Sequence, residues 1–163
     1  VTVTAWRVVN TRYARTAFDG EGARLYGGRW NSEGHPVIYL AEAVSLALLE
    51  LLVHLEGQAL LTSYALFSVS WDTRLMEEVP LEHLPAQWKN FPPSSVTQTI
   101  GDRWLRKGTS PVLRVPSVIV ERESNFLLNP HHPLFKRITI GPEEKLRIDR
   151  RISKAFAPPV RAN

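Results

Sequence analysis

The sequence predicts a single-domain α+β fold in which curved, mostly antiparallel sheets are flanked by helices. Two observations carry this expectation. The chain has 163 residues, 44% of them hydrophobic, which is enough for one real core and too little for two. Its β-rich runs do not alternate regularly with helices, as a doubly wound parallel sheet would require.

The elements follow in order. Residues 4–9 and 36–40 are short β-rich runs, and residues 62–71 place Ala65, Phe67, Val69 and Trp71 on one face by strict alternation. Between the second and third strands, residues 43–56 are leucine-rich and free of glycine and proline, and they run up to Gly57, a residue suited to the left-handed position after a helix. The apolar residues of this helix cover nearly its whole circumference, which predicts packing on several sides. Residues 80–93 carry several prolines with Trp88 and Phe91 and predict a long ordered loop of the kind that borders a site. A second helix is expected over residues 95–107, where Val96, Ile100 and Trp104 recur every four residues. Residues 112–120 are β-branched but include Pro116, which predicts a bulged or edge strand, and residues 137–140 add another strand. We expect one domain over residues 1–156 and a basic, proline-containing, mobile tail over residues 157–163. No internal repeat or low-complexity segment is present.

The formal charge is +4 and the sequence pI is about 9.7. Residues 145–163 hold six basic residues against Asp149 alone, so the rest of the chain is close to neutral. The first 31 residues contain Arg7, Arg12, Arg15, Arg24 and Arg29 and no lysine. Arginine presents a planar fork suited to phosphate oxygens, so this bias points to a small, shaped anion more than to a nucleic-acid backbone. There is no cysteine, hence no disulfide framework and no thiolate zinc site, and a reducing, cytoplasmic setting is expected. The N-terminal residues lack the features of a signal peptide, and the apolar run of residues 46–55 is too short to span a bilayer.

Five glycines fall within residues 20–34, and Gly27-Gly28 immediately precedes Arg29-Trp30-Asn31. A plain turn needs one or two glycines, so this loop predicts a tight backbone that aims an arginine inward. Neither Gly-x-Gly-x-x-Gly nor a phosphate-loop signature is present. Glu50 lies among leucines on the first predicted helix, where a carboxylate must be paired, protonated or open to a cleft; His54, one turn on, is a possible partner. Tyr39 alone reads as a core aromatic with its hydroxyl reaching out. Ser117 lacks a nucleophile-elbow context and reads as a hydrogen-bonding group. His131 and His132 are adjacent and unsuited to converge on one ion, and no metal site is expected.

Taken together, several ordered motifs resemble the RES-domain family of toxins from bacterial toxin–antitoxin pairs. They are Leu25-Tyr26-Gly27-Gly28-Arg29-Trp30-Asn31, Gly34-His35-Pro36-Val37-Ile38-Tyr39, the Leu-rich helix with Glu50, Gly101-Asp102-Arg103-Trp104-Leu105, Val115-Pro116-Ser117, and the segment from Asn125 to Pro133. The resemblance runs from about Trp6 to Ile140. It implies an ADP-ribosyltransferase-like fold, NAD as substrate with no further cofactor, and cleavage of the nicotinamide–ribose bond. It also implies an Xre-type helix-turn-helix antitoxin as partner. Under it, Arg29, Tyr39, Glu50 and Ser117 form the site, with Arg29 and Tyr39 also binding the substrate and Arg7 and Asn125 as supporting residues. Glu50 would stabilise the oxocarbenium-like centre, Arg29 would grip the pyrophosphate, Tyr39 would pack on the nicotinamide or its ribose, and Ser117 would orient a hydroxyl or amide. The acceptor is left open among water, phosphate and a protein side chain, the last giving an ADP-ribosyltransferase. Two alternatives from other classes are a basic nucleic-acid-binding module or ribonuclease using His54 or His132, and a partner-binding domain in which Glu50 pairs with His54.

Overall fold

The computed structural model describes residues 1–55 and 63–155. Its centre is β1 (Thr2–Asn10), which pairs along its whole length with antiparallel β3 (Tyr64–Asp72), from Thr2 opposite Asp72 to Asn10 opposite Tyr64. On its other side β1 meets β2 (Ile38–Ala41) at a single register position, Trp6 opposite Ala41. Beyond that pair the two strands part. From β2 the sheet continues through antiparallel β6 (Ser124–Leu128) to β5 (Val112–Pro116) and ends on β4 (Met76–Glu78), the one parallel neighbour among the described residues. The outer side of β3 carries β7 (Thr139–Ile140) and β8 (Glu144–Leu146).

Among the described residues four α-helices accompany this sheet: α1 (Glu21–Tyr26), α2 (Val44–His54), α3 (Ser95–Lys107) and α4 (Arg150–Ala155). The main core lies on one face, where Ala5, Ile38, Leu40, Val69, Trp71, Val112, Phe126 and Leu128 interdigitate. A second core, on Trp30, Trp88, Trp104, Leu113 and Leu127, joins the glycine loop and the proline-rich segment to α3. Gly101 explains one of those contacts. A Cβ there would stand 1.7 Å from the Trp30 carbonyl oxygen, so the helix accepts a glycine, at about 1 kcal/mol of helix propensity, to let the loop lie directly on it.

The expected α+β class and mostly antiparallel pairing are what the chain forms. The strand over residues 62–71 is found two residues later, with Ala65, Phe67, Val69 and Trp71 all buried. The second helix spans Ser95–Lys107 and closes on Gly108 in the left-handed conformation. Two expectations need correction. The leucine-rich α2 is not enclosed: Leu46, Ala47 and Leu52 are buried, but Leu49 and Val53 face solvent, because only one side of the helix meets the sheet. β5 is an interior strand that ends at Pro116, since proline has no N–H to continue the ladder; residues 117–120 then turn away where the expected strand continued. The predicted stop at Gly57 and the tail over residues 157–163 lie outside the described residues.

Candidate active site

The parting of β1 and β2 is filled by an arginine. Arg7 donates from Nη1 to the Tyr39 carbonyl on β2 at 2.8 Å and from Nε to the Ala17 carbonyl at 2.6 Å, replacing ladder bonds that the strands cannot make with each other. Burial pushes its guanidinium down to about 10, with Asp19 opposing the shift, so it stays a cation at neutral pH. Two clefts open beside it, and Arg7 and Tyr39 line both. The smaller, about 260 Å³, lies against α2 with Glu50, Leu51, His54 and Asn125 in its wall. The larger, about 570 Å³, is bounded by the end of β1 and by α1.

Glu50 enters the smaller cleft from the sheet-facing side of α2. Its Oε1 accepts from Asn125 Nδ2 at 2.6 Å and from Ser117 Oγ at 3.5 Å, so β6 and the turn after β5 converge on one carboxylate oxygen. No hydrogen bond to Oε2 is found among the described residues. Ser117 is fully buried, and its Oγ also accepts from the N–H groups of Ile119 and Val120 at 3.1 Å each. That serine therefore fixes a turn and backs the carboxylate from within the protein. The Asn125 Oδ1 is buried without a hydrogen-bond partner among the described residues. No ion pair between Glu50 and His54 forms; His54 is exposed and shares only the cleft wall.

Tyr39 is held by the glycine loop. Its hydroxyl donates to Asn31 Oδ1 at 2.6 Å and accepts from the Trp30 N–H at 3.2 Å. Desolvation raises its pKa well above the ordinary phenol value, which keeps it a neutral donor. Gly28 allows the contact, because a Cβ there would stand 2.6 Å from that hydroxyl. Gly27, at φ +66°, turns the chain into this hairpin, closed by the Gly28 N–H on the Asn31 carbonyl at 2.9 Å.

Arg29 occupies the tip of the same hairpin. Its Nη1 donates to the carbonyls of Trp88 at 2.7 Å and Asn90 at 3.1 Å, tying the proline-rich segment down. Desolvation lowers its pKa while the charge of Glu50 raises it, which puts it in the electrostatic neighbourhood of the site. It lines neither cleft. The structure thus joins Glu50, Ser117 and Asn125 by direct contacts, has Arg7 and Tyr39 line both clefts, and leaves Arg29 outside the lining of either.

Two supporting residues escaped the sequence reading. Asn31 is fully buried and reaches the carbonyls of Ala23 at 2.8 Å and His35 at 3.1 Å as well as Tyr39. Asp102 of α3 accepts from both the N–H and the Oγ of Ser32, at 3.0 and 2.6 Å. Asn31 sat in view beside the glycines, and its place within that motif was the available signal. His132 is spent on its own turn: Nδ1 accepts from the Leu134 N–H, which leaves Nε2 to donate to the Gly108 carbonyl. Among the described residues no group of three or more histidine, aspartate or glutamate side chains could hold a metal ion, and no helix is long and apolar enough to cross a membrane.

Comparison with known proteins places this geometry in a wider group. A family model described as RES domain matches residues 4–149. A protein of Yersinia enterocolitica named "Toxin Res" is 40% identical over 131 residues, covering 80% of this chain and 86% of that protein. A Sphingobium protein named "Prs ADP-ribosylating toxin" is 32% identical over 157 residues, covering 93% and 98%. Among solved structures, a chain of the Mycobacterium tuberculosis MbcT–MbcA toxin–antitoxin complex shares the fold with a TM-score of 0.73 at 18% identity, covering 96% of this chain and 89% of that one.

Proposed function

The chain belongs to the RES-domain family, and from that premise we propose that it is the toxin of a toxin–antitoxin pair that consumes NAD by breaking the nicotinamide–ribose bond. The observation that carries the proposal is the Glu50 carboxylate, held on one oxygen by Asn125 and Ser117 in the wall of a cleft that also contains Arg7 and Tyr39. When the glycosidic bond breaks, its electron pair leaves with nicotinamide and C1′ of the ribose becomes oxocarbenium-like. A fixed carboxylate stabilises that developing positive charge, and it costs no reorganisation when already oriented. Water then adds with loss of a proton to give a hydrolase, or inorganic phosphate adds to give a phosphorylase.

Arg7 is the cation placed where the pyrophosphate would cross between the clefts, and Tyr39 forms the wall beside it. Arg29 lends positive charge to Glu50 from outside the cleft lining while anchoring the Trp88–Asn90 backbone. In this reading Ser117 and Asn125 act through Glu50. The partner is an antitoxin that closes the cleft, of the Xre helix-turn-helix type implied by the resemblance; the fold relative comes from a complex with its own antitoxin.

Purified chain, free of antitoxin, is incubated with NAD with and without phosphate, and NAD and nicotinamide are followed in time. Loss of NAD that disappears in folded Glu50→Gln and Arg29→Ala is expected, and wild-type rates in both variants would sink the site. The second reading, transfer of ADP-ribose to a protein, is favoured by the name of the Sphingobium relative. It uses the same bond cleavage and differs only in the acceptor, so it predicts label from adenine-labelled NAD on a protein band and little turnover without one.

A further inference from the structure

Three residues on one face of α3 hold the glycine hairpin. Gln98, Gly101 and Asp102 are spaced three and four positions from the first, so they share a side of the helix. Gln98 Nε2 donates to the Gly28 carbonyl at 3.0 Å, Gly101 gives room to the Trp30 carbonyl, and Asp102 accepts from the Ser32 N–H and Oγ. Alternate residues of the hairpin thus meet the helix. Asn31, between two of them in sequence, reaches Tyr39 instead.

Packing alone does not call for a carboxylate at residue 102. Asp102 is buried, and no lysine or arginine pairs with it among the described residues; His35 Nδ1 lies 3.7 Å from its Oδ1. Burying a charge is costly, so an amide of the same shape would be the cheaper anchor. A carboxylate differs from that amide in accepting only. Ser32 therefore gives both its N–H and its hydroxyl proton to Asp102, and its Oγ is left to accept from His35 Nδ1 at 3.2 Å. Ser32, His35 and Asp102 are not a nucleophile triad, because the hydroxyl proton is directed at the carboxylate and not at the imidazole.

That direction is handed along the chain. Asn31 Nδ2 donates to the carbonyls of Ala23, Ser32 and His35, which leaves Oδ1 to accept from the Tyr39 hydroxyl at 2.6 Å. The hydroxyl accepts in turn from the Trp30 N–H. Each link has one polarity, and the last belongs to the ring that lines both clefts. Charge follows the same path: burial raises the Tyr39 pKa most, and the negative charge of Asp102 raises it further.

We propose that Asp102 is a positioning residue for the cleavage site, which acts through Ser32 and Asn31 to fix the Tyr39 hydroxyl and the set of its ring in the cleft wall. This rests on the reading of that cleft as the place where NAD is cleaved. It goes beyond that reading by giving a catalytic consequence to a carboxylate that lines neither cleft.

The test uses the full chain, free of antitoxin, as Asp102→Asn, Ser32→Ala, Tyr39→Phe and the combinations of the first two with Tyr39→Phe. Circular dichroism verifies folding, and Ser32→Ala carries the same cycle if Asp102→Asn does not fold. Two quantities are read: kcat/KM for NAD, and the carbon-13 spectrum of protein labelled at tyrosine Cζ, where Tyr39→Phe identifies one of the four tyrosine signals. Asp102→Asn and Ser32→Ala each lower kcat/KM about tenfold, a coupling usual within one hydrogen-bond network. In the Tyr39→Phe background the same changes cost less than about twofold, since the group they act through is gone. The Tyr39 signal moves in Asp102→Asn, while those of Tyr13, Tyr26 and Tyr64 stay. Unchanged kcat/KM in Asp102→Asn, additive losses in the double variants, or an unmoved Tyr39 signal overturns the assignment. If the Tyr39 signal moves but wild type consumes no NAD, the link from Asp102 to Tyr39 stands and the NAD-cleaving reading is what fails.

Discussion

Replacing Gly28 with alanine adds one methyl group at the most crowded point of the glycine hairpin. Its carbon would lie 2.6 Å from the Tyr39 hydroxyl, 2.9 Å from Asn31 Oδ1 and 3.1 Å from Tyr39 Cζ. The hydroxyl has to move, and with it go the bonds to Asn31 and to the Trp30 N–H. Overpacking costs about 1–3 kcal/mol, and polar groups left unpaired in a closed site cost about 1–3 kcal/mol more. We expect Gly28→Ala to destabilise the fold by about 2–4 kcal/mol, a large part of the roughly 5–15 kcal/mol that holds a domain together. Tyr39→Phe alone removes the same two bonds and should cost about 1–3 kcal/mol. In the double variant the methyl group enters the space vacated by the hydroxyl. The combined loss should therefore fall short of the sum by about 1 kcal/mol or more, read from urea midpoints at constant m-value. Additivity within about 0.5 kcal/mol would show that the hydroxyl and the missing Cβ do not compete for one place.

Two further outcomes follow from the same contacts. Asn125→Ala frees Glu50 Oε1 from its 2.6 Å donor, and NAD consumption should fall on the order of 100-fold, mainly in kcat, because a misplaced group costs about that much; an unchanged kcat would remove Asn125 from the positioning role. For Tyr39, whose pKa is raised by burial, the folded protein keeps a proton that the unfolded chain releases near pH 10. Its contribution to stability is full below pH 10 and is lost as pH rises toward the folded value. In absorbance titrations at 295 nm Tyr39→Phe should leave the rise up to pH 11 unaltered; a smaller rise at pH 10–11 in the variant would contradict the assignment.

What could be read from the sequence was whatever repeats locally. The four-residue spacing of Val96, Ile100 and Trp104 marks α3, and the alternation from Ala65 to Trp71 marks β3. β4 and β8 have three residues each, too few for alternation to stand out, and they exist because neighbouring strands supply their partners. β6, Ser-Asn-Phe-Leu-Leu, went unassigned for a related reason: it is buried on both faces, so its pattern does not alternate. α1 is six residues long and contains Gly22.

The site shows the same division. Glu50 on a leucine-rich helix was conspicuous, but the sequence offered His54, four residues away, as its partner. The actual partners lie 67 and 75 residues along the chain. Helical spacing reports which side chains could meet within one element, whereas sheet topology decides which elements face each other. Arg29 shows it too: its neighbours in sequence suggested an inward-aimed cation, and its hydrogen bonds go to a loop about 60 residues away.

The single pairing of Trp6 with Ala41 has a mechanical consequence. On one side of it lie β1, β3, β7 and β8, on the other β2, β6, β5 and β4, each a continuous ladder. Within the sheet the joint between them is one residue pair and the Arg7 side chain, laid over the shared core, so the two ladders meet along a seam. A molecule lying across Arg7 bridges both halves, and the free energy of its binding adds to that of the seam itself. Amide exchange along β2 and the middle of β1 then becomes a gauge of occupancy: protection at the seam rises with bound ligand, while the interiors of the two ladders exchange as before.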